Sequence, residues 1–436
     1  MLETMRNAWR VPEIRKKLLY TLVMLLLFRL LSMIPTPGTK DITALMGTTN
    51  NGLLDLMSMM NGGVLSQGSI MAMGISPYIN ASIIMQLLTV AIPALERLSK
   101  DGGEEGKKKI NRITRYVTVG LAVVQAIGII SMLDNNYGMV AEGYNTFWGK
   151  LLIGFCMAAG TALAMWIGER ITKNGIGNGV SLLIFAGIIA NLFTGYQQSI
   201  KAAFTPGQFG QNIWGLLVLI AITLLFIVVV TFVDSAERRI PVQYAKRVVG
   251  RKLYGGQNTY IPMKVLSVGV LPLIFAYSFM AFPTTICGFF HKADSIKDQQ
   301  GIVYDAYTWC QKYLSQGAWP YIIICALLII AFAYFYTAIT FNPQDIAKNV
   351  QQQGGHIQGI RPGQATVNFL QRTSTRLTLF AGIFLAILAT IPSAIPRSLI
   401  SIPFGASSIM IAVSVALETV RGVEAQLVMR NYKGFL

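Results

Sequence analysis

The stretch that decides the fold is Gly215-Leu216-Leu217-Val218-Leu219-Ile220-Ala221-Ile222-Thr223-Leu224-Leu225-Phe226-Ile227-Val228-Val229-Val230. It holds no charge, and Thr223 is its one polar side chain. With its flanks it reaches about the 20 residues that a helix needs to cross a bilayer. Leu18–Leu31 forms a second such run. Across all 436 residues, 53% are hydrophobic and 13% charged, against roughly a quarter charged in a soluble domain. The mean hydropathy is +0.53. So few charges cannot cover a soluble globe of this length, and the chain reads as a polytopic helical membrane protein.

Further runs place spans near 18–34, 75–92, 117–133, 150–168, 179–196, 213–233, 264–285, 319–340, 375–391 and 404–420. The net charge of +17 sits between them. With border residues counted in their loops, 28 Lys and Arg fall in the odd-numbered segments and 7 in the even-numbered ones; Arg29 lies inside the first span. The positive-inside rule then puts both termini and the large basic loops in the cytoplasm. Ten spans divide into two sets of five, and because five is odd, a repeat between them has to be inverted about an axis in the membrane plane. The expected units are 1–196, 197–426 and a tail of 427–436. Met1–Lys17 is basic and precedes a full-length span without a small-residue cleavage site, so it reads as a retained first helix.

Between the first two spans, Thr39–Gly74 is too polar and glycine-broken to cross. It carries Leu53-Leu54-Asp55-Leu56-Met57-Ser58-Met59-Met60, about two helical turns. Two readings stand side by side: a half-helix dipping back into the protein, or an amphipathic helix on the outer surface.

None of the 19 acidic residues falls in the centre of a span. An ion-coupled transporter needs midplane carboxylates, so that class is disfavoured. Arg29 is expected to snorkel or to meet a backbone carbonyl. His291 and His356 lie in loops, and no zincin helix or nucleophile elbow is present. No enzyme, cofactor or metal site is expected. Cys156, Cys287, Cys310 and Cys325 make no framework. Gly175-Ile176-Gly177-Asn178-Gly179 lacks the Lys-Ser/Thr of a phosphate loop and reads as a tight helix–helix turn. Ser76, Asn80 and Gln86 share one helical face, which suggests interhelical hydrogen bonds or the lining of a seam.

Two basic loops carry more turn chemistry than topology requires. Loop six, 234–263, reads Arg238-Arg239-Ile240-Pro241-Val242-Gln243-Tyr244-Ala245-Lys246-Arg247 and runs on through Arg251 to Gly255-Gly256. Alternation and the Gly-Gly pair predict a projecting β-hairpin. Loop eight, 341–374, contains Gly354-Gly355-His356-Ile357-Gln358-Gly359-Ile360-Arg361-Pro362-Gly363, a fixed turn presenting one arginine. Both read as docking surfaces.

These motifs, with Gly74-Ile75-Ser76-Pro77-Tyr78-Ile79, Trp9-Arg10-Val11-Pro12 and Arg430-Asn431-Tyr432, closely resemble the bacterial SecY family, the channel subunit of the general protein-secretion translocon. Leu266 stands where that family commonly has Asn, and His356 and Gln358 vary the loop-eight pattern. The resemblance implies a fold: an all-α membrane protein whose ten transmembrane helices form two inverted five-helix halves, a clamshell. A re-entrant plug helix and a cytoplasmic β-hairpin loop complete it. It implies a pore ring of Ile75, Ile79, Ile184, Ile188, Ile274 and Ile411, sealing by dewetting. It implies that Leu53–Met60 is the plug, within about 52–62, its methionines suited to release and re-seat. Ser76, Asn80, Gln86 and Phe282 would belong to a lateral gate of spans two and three against seven and eight. Arg239, Lys246, Arg247, Arg251 and Arg361 would engage the SecA ATPase or a ribosome. The implied companions are SecE, SecG, signal peptides, unfolded preproteins and the lipid bilayer, in the bacterial cytoplasmic membrane. The implied function is passive protein conduction, driven by a partner that hydrolyses nucleotide.

Overall fold

The computed structural model describes residues 6, 9–41, 62–65, 67–100, 102–204, 209–244, 247–249, 252–254, 259–267, 269–289, 309, 313, 318–394 and 406–433. Its first half holds α1 (Pro12–Leu31), α2 (Ser76–Ala91), α3 (Pro93–Lys100), α4 (Gly103–Tyr137), α5 (Phe147–Asn174) and α6 (Gly179–Ala203). There follow α7 (Phe209–Ser235), β1 (Glu237–Tyr244), β2 (Arg247–Val249), β3 (Lys252–Tyr254), β4 (Thr259–Lys264) and α8 (Leu271–Phe289). The chain closes with α9 (Trp319–Thr340), α10 (Pro343–Gln352), β5 (Gly355–Ile357), α11 (Gln364–Ala394) and α12 (Ala406–Lys433).

A helix stands at each of the ten expected spans. Among the described residues, six are long and apolar enough to cross a membrane, and the bent pair α2–α3 makes a seventh. The bend has a local cause: Ile92 precedes Pro93, and the proline ring pushes it to extended backbone (φ −106°, ψ 112°). The chain therefore turns by 103°. α1 and α12 carry charges near their ends that shorten their apolar stretch.

α4 and α5 lie side by side and are tied at both ends. Arg115 Nε meets Glu169 Oε1 at 2.7 Å, and Lys150 Nζ meets Asp134 Oδ2 at 2.6 Å. α9 packs on α11, where the Thr378 hydroxyl donates to Thr337 Oγ1 at 3.1 Å. Contacts between the first six helices and the rest run along two lines. α8 packs on α2 and α4, while α7 and α12 pack on α6. On the second line the Tyr196 hydroxyl donates to Thr223 Oγ1 at 2.6 Å.

The seventh expected span begins later than its hydropathy suggests. β4 runs to Lys264, and the Val265 N–H still donates to Ala236 O at 3.0 Å. Gly269, at φ +61°, then turns the chain before Leu271 opens α8. Leu266, before this turn, is buried in the central cluster.

Loop six does form antiparallel strands, and its sheet is larger than a hairpin. β1 pairs with β4 (Ile240 opposite Ile261) and with β5 of loop eight (Gln243 opposite His356), giving the order β4-β1-β5. β2 and β3 pair as a separate ribbon, with Val249 opposite Lys252. Gly255-Gly256, expected to make the hairpin's turn, lies outside the described residues.

Candidate apolar seal and basic docking face

The six isoleucines come from four helices and the N-cap of one of them, and all six are buried. Ile79 projects from α2, Ile184 and Ile188 from α6, Ile274 from α8 and Ile411 from α12; Ile75 is the N-cap of α2. All are between 1% and 7% exposed, and all belong to one contiguous buried cluster. Neighbours in that cluster include Phe28, Val64, Leu273 and Met410. The cluster is the main core of the molecule and also holds residues of other helices, such as Ile329 and Leu385.

A cavity of about 810 Å³ opens above this cluster, with Ile79, Ile184 and Ile274 in its wall. Ile75 and Ile188 lie four residues from Ile79 and Ile184 along the chain, about 6 Å by helical rise. The cavity's other walls are mixed: Trp166, Val180, Leu271 and Phe275 line it beside polar and charged side chains. Ser82 and Gln86 of α2 face Arg115, Glu169, Arg170 and Lys173, four groups with an excess of positive charge. Glu169 pairs with Arg115, and Arg170 stacks on Trp166 at 5.3 Å. A cavity with an excess of basic groups in its wall thus borders the apolar cluster through Ile79, Ile184 and Ile274. Water leaves an apolar constriction readily, and no side chain in one binds a passing polymer strongly.

The polar face of α2 differs from the expectation. Gln86 Nε2 donates to Ser82 Oγ at 3.4 Å along the same helix, rather than across to a neighbour. Asn80 is half-buried, and the buried Ser76 Oγ has no hydrogen-bond partner among the described residues. Ser82 lies on the same face one turn before Gln86, so the spacing that selected Gln86 could have found it. Phe282 lies on α8, outside the residues whose side chains are described.

Arg29, expected to snorkel or meet a carbonyl, meets one: its Nη1 donates to Gly62 O at 3.4 Å. The plug residues Leu53, Leu54, Asp55, Leu56, Met57, Ser58, Met59 and Met60 lie outside the described residues. Gly62 and Gly63, which follow them, have φ of +77° and +79° and lie beside Gly187 and Asn191 of α6. Ile188 is between those two residues in sequence.

At the other end of α7 the two basic loops build one body. Ile240, Val242, Met263, Ala347, Val350, Ile357, Val367 and Leu370 form a single small core. It joins β1, β4, α10, β5 and α11. The alternation of β1 sends Ile240 and Val242 into that core and leaves Arg239 outside. Arg239 donates from Nε to Glu237 Oε1 at 2.7 Å and lies 4.9 Å over the Tyr260 ring. The Glu237 carboxylate pushes the Arg239 pKa up, so the guanidinium stays charged. Arg361 is exposed in the turn after β5, between Gly359 (φ +81°) and Gly363 (φ +103°). Its carbonyl accepts from Thr366 Oγ1 at 3.0 Å, which fixes the turn. Arg247 lies in β2 with its side chain undescribed; Lys246 and Arg251 lie outside the described residues. That β5 joins β1 was not legible in the sequence, because three residues are too few for a strand period.

The family model of SecY matches residues 69–420. The protein translocase subunit SecY of Streptomyces galbus is 40% identical over 457 residues, covering all of both chains. Among solved structures, a protein-conducting channel superposes with a TM-score of 0.67 at 20% identity, over 97% of this chain and 96% of that one. Sec61 in the canine ribosome–channel complex gives a TM-score of 0.64 at 18% identity, over the same 97% and 96%. The helices, the sheet of two loops and these likenesses agree: the chain is a multi-pass membrane protein that belongs to the SecY family.

Proposed function

We propose that this chain is the channel through which unfolded secretory proteins cross the bacterial cytoplasmic membrane, and from which membrane helices pass sideways into lipid. The observation that carries the reading is that Ile75, Ile79, Ile184, Ile188, Ile274 and Ile411 are all buried in one core cluster, and that Ile79, Ile184 and Ile274 line an open cavity with basic groups in its wall. In this reading they are the pore ring. The two units 1–196 and 197–426 are inverted halves, with both termini cytoplasmic. Contact along α8 with α2 and α4 supports a lateral gate there, bordered by Ser76, Asn80, Gln86 and Phe282. Contact of α6 with α7 and α12 supports a hinge on the opposite side. Leu53–Met60 is the plug that closes the far side of the ring.

The chain itself does no bond chemistry; its partner supplies the work. Arg239 and Arg361, with Lys246, Arg247 and Arg251, form the docking face. Guanidinium groups on rigid turns suit both ribosomal RNA phosphates and the carboxylates of a SecA-type ATPase. The ribosome-bound state of the structurally similar Sec61 supports the first partner. SecE and SecG complete the assembly.

Single-channel conductance in a planar bilayer tests this reading, comparing the chain assembled with SecE against a version lacking Leu53–Met60. A tight parent and a leaky deletion are expected. Equally tight proteins would contradict the plug assignment, and substrate-coupled ion currents in the parent would contradict the channel.

A further inference from the structure

We propose that Arg421 is a positioning residue that clamps the root of the docking sheet to the ring helix α12, so that a partner seated on the sheet acts on the ring through it. This rests on the docking reading above. Asp234 lies in the last turn of α7, three residues before Glu237 opens β1. Arg421 grips it twice: Nη1 stands 3.3 Å from the carboxylate Oδ2, and Nη2 donates to the Asp234 backbone carbonyl at 3.2 Å. That carbonyl belongs to the last turn of a helix, where carbonyls lack intrahelical partners. Arg421 therefore caps α7 from another helix and opposes the negative end of its dipole. Asp234 is only 8% exposed and the Arg421 side chain 38%, so the pair is partly buried.

The position of the grip gives it a further role. Ala236 accepts from the Val265 N–H at 3.0 Å, so both strands of the outer pair, β1 and β4, root within three residues of Asp234. Lys264, the last residue of β4, acts on the same carboxylate through space. On the other side, Arg421 follows Ile411 by ten residues on α12, about 15 Å by helical rise. α12 packs on both α7 and α6, the helix that carries Ile184 and Ile188. A tilt or twist of the sheet root cannot leave α12 behind without breaking two charge-assisted contacts. The chain of contacts from Arg239 through β1, Asp234 and Arg421 to Ile411 is unbroken.

The test uses the full chain with its small membrane subunits in proteoliposomes. Two quantities are read on each variant: ribosome affinity by co-sedimentation, and SecA-driven protection of a preprotein from protease. Arg421→Met is expected to keep ribosome affinity within twofold and to lose about tenfold in transport, a coupling of ordinary size between distant sites. Arg421→Lys keeps the charge but not the fork. It is expected to bind as the parent does and to lose about threefold, which carries the test if Arg421→Met does not fold. Transport at the parent's level in Arg421→Lys, or transport and affinity falling in parallel, overturns the proposal. A parent that binds no ribosome fails the docking reading instead, and that is seen without any substitution.

Discussion

At Gly179 a methyl group would lie on the Gly168 carbonyl and 2.8 Å from Ile171 Cβ. The residue closes the turn between α5 and α6, and the turn is crowded throughout. Gly175 sits against Thr21, Gly177 takes φ +72° beside Thr419, and Ile176 is buried with Ile14 of α1 and Val423 of α12. Asn178 caps α6 by accepting from the Val180 N–H at 3.0 Å. Gly179→Ala is expected to destabilise the bundle by about 1–3 kcal/mol through overpacking, read as a lower melting temperature in detergent. The turn itself was legible in the sequence. That it sits where α1, α5, α6 and α12 meet was not, because glycine spacing says nothing about what lies across from it. The ring behaves in the same way: isoleucine is so common in spans that periodicity alone cannot single out six, and only the motifs around them did. Ile188→Asn places an amide in a site that is 1% exposed. It is expected to raise the closed-state conductance of the planar bilayer while preprotein transport continues. Arg361→Glu is expected to abolish SecA-driven export in proteoliposomes with helicity by circular dichroism unchanged; normal export would remove Arg361 from the docking face.

Among the elements, the helices were read most faithfully, since a run of some 20 apolar residues has few other uses. Their ends were read less well. α8 starts at Leu271 because the sheet and Gly269 hold the preceding residues, and no hydropathy window sees a hydrogen bond from Val265 to Ala236. The strands of loop six announced themselves by alternation. Their partner β5 did not, and with it the shared core beneath both loops was missed. That core makes a direct prediction. Ile240 is 3% exposed and central to it. Ile240→Asp is expected to cost several kcal/mol for an unpaired buried carboxylate and to detach the docking face. Ribosome co-sedimentation should fall at least tenfold while the membrane helices stay folded. Retained affinity would mean that Arg239 and Arg361 dock without the sheet that now holds them.

For the whole molecule, two lines of contact join the first six helices to the rest. α7 and α12 hold to α6, joined by the Tyr196–Thr223 hydrogen bond, while α8 meets α2 and α4 through a largely apolar seam. The parity of ten spans argued for inverted halves, and the absence of midplane carboxylates argued against an ion-coupled pump. Neither argument could say where the two halves meet, since that depends on contacts between residues hundreds of positions apart. The account as a whole is a passive pore, sealed by side chains and driven from outside. Its most direct test is to reconstitute the chain with SecE and SecG in vesicles, add SecA, ATP and a labelled preprotein, and follow protection of the label from external protease. Protection that requires both ATP and SecA is the predicted result. A preprotein that stays fully accessible while SecA binds and hydrolyses ATP on the vesicles would contradict the account.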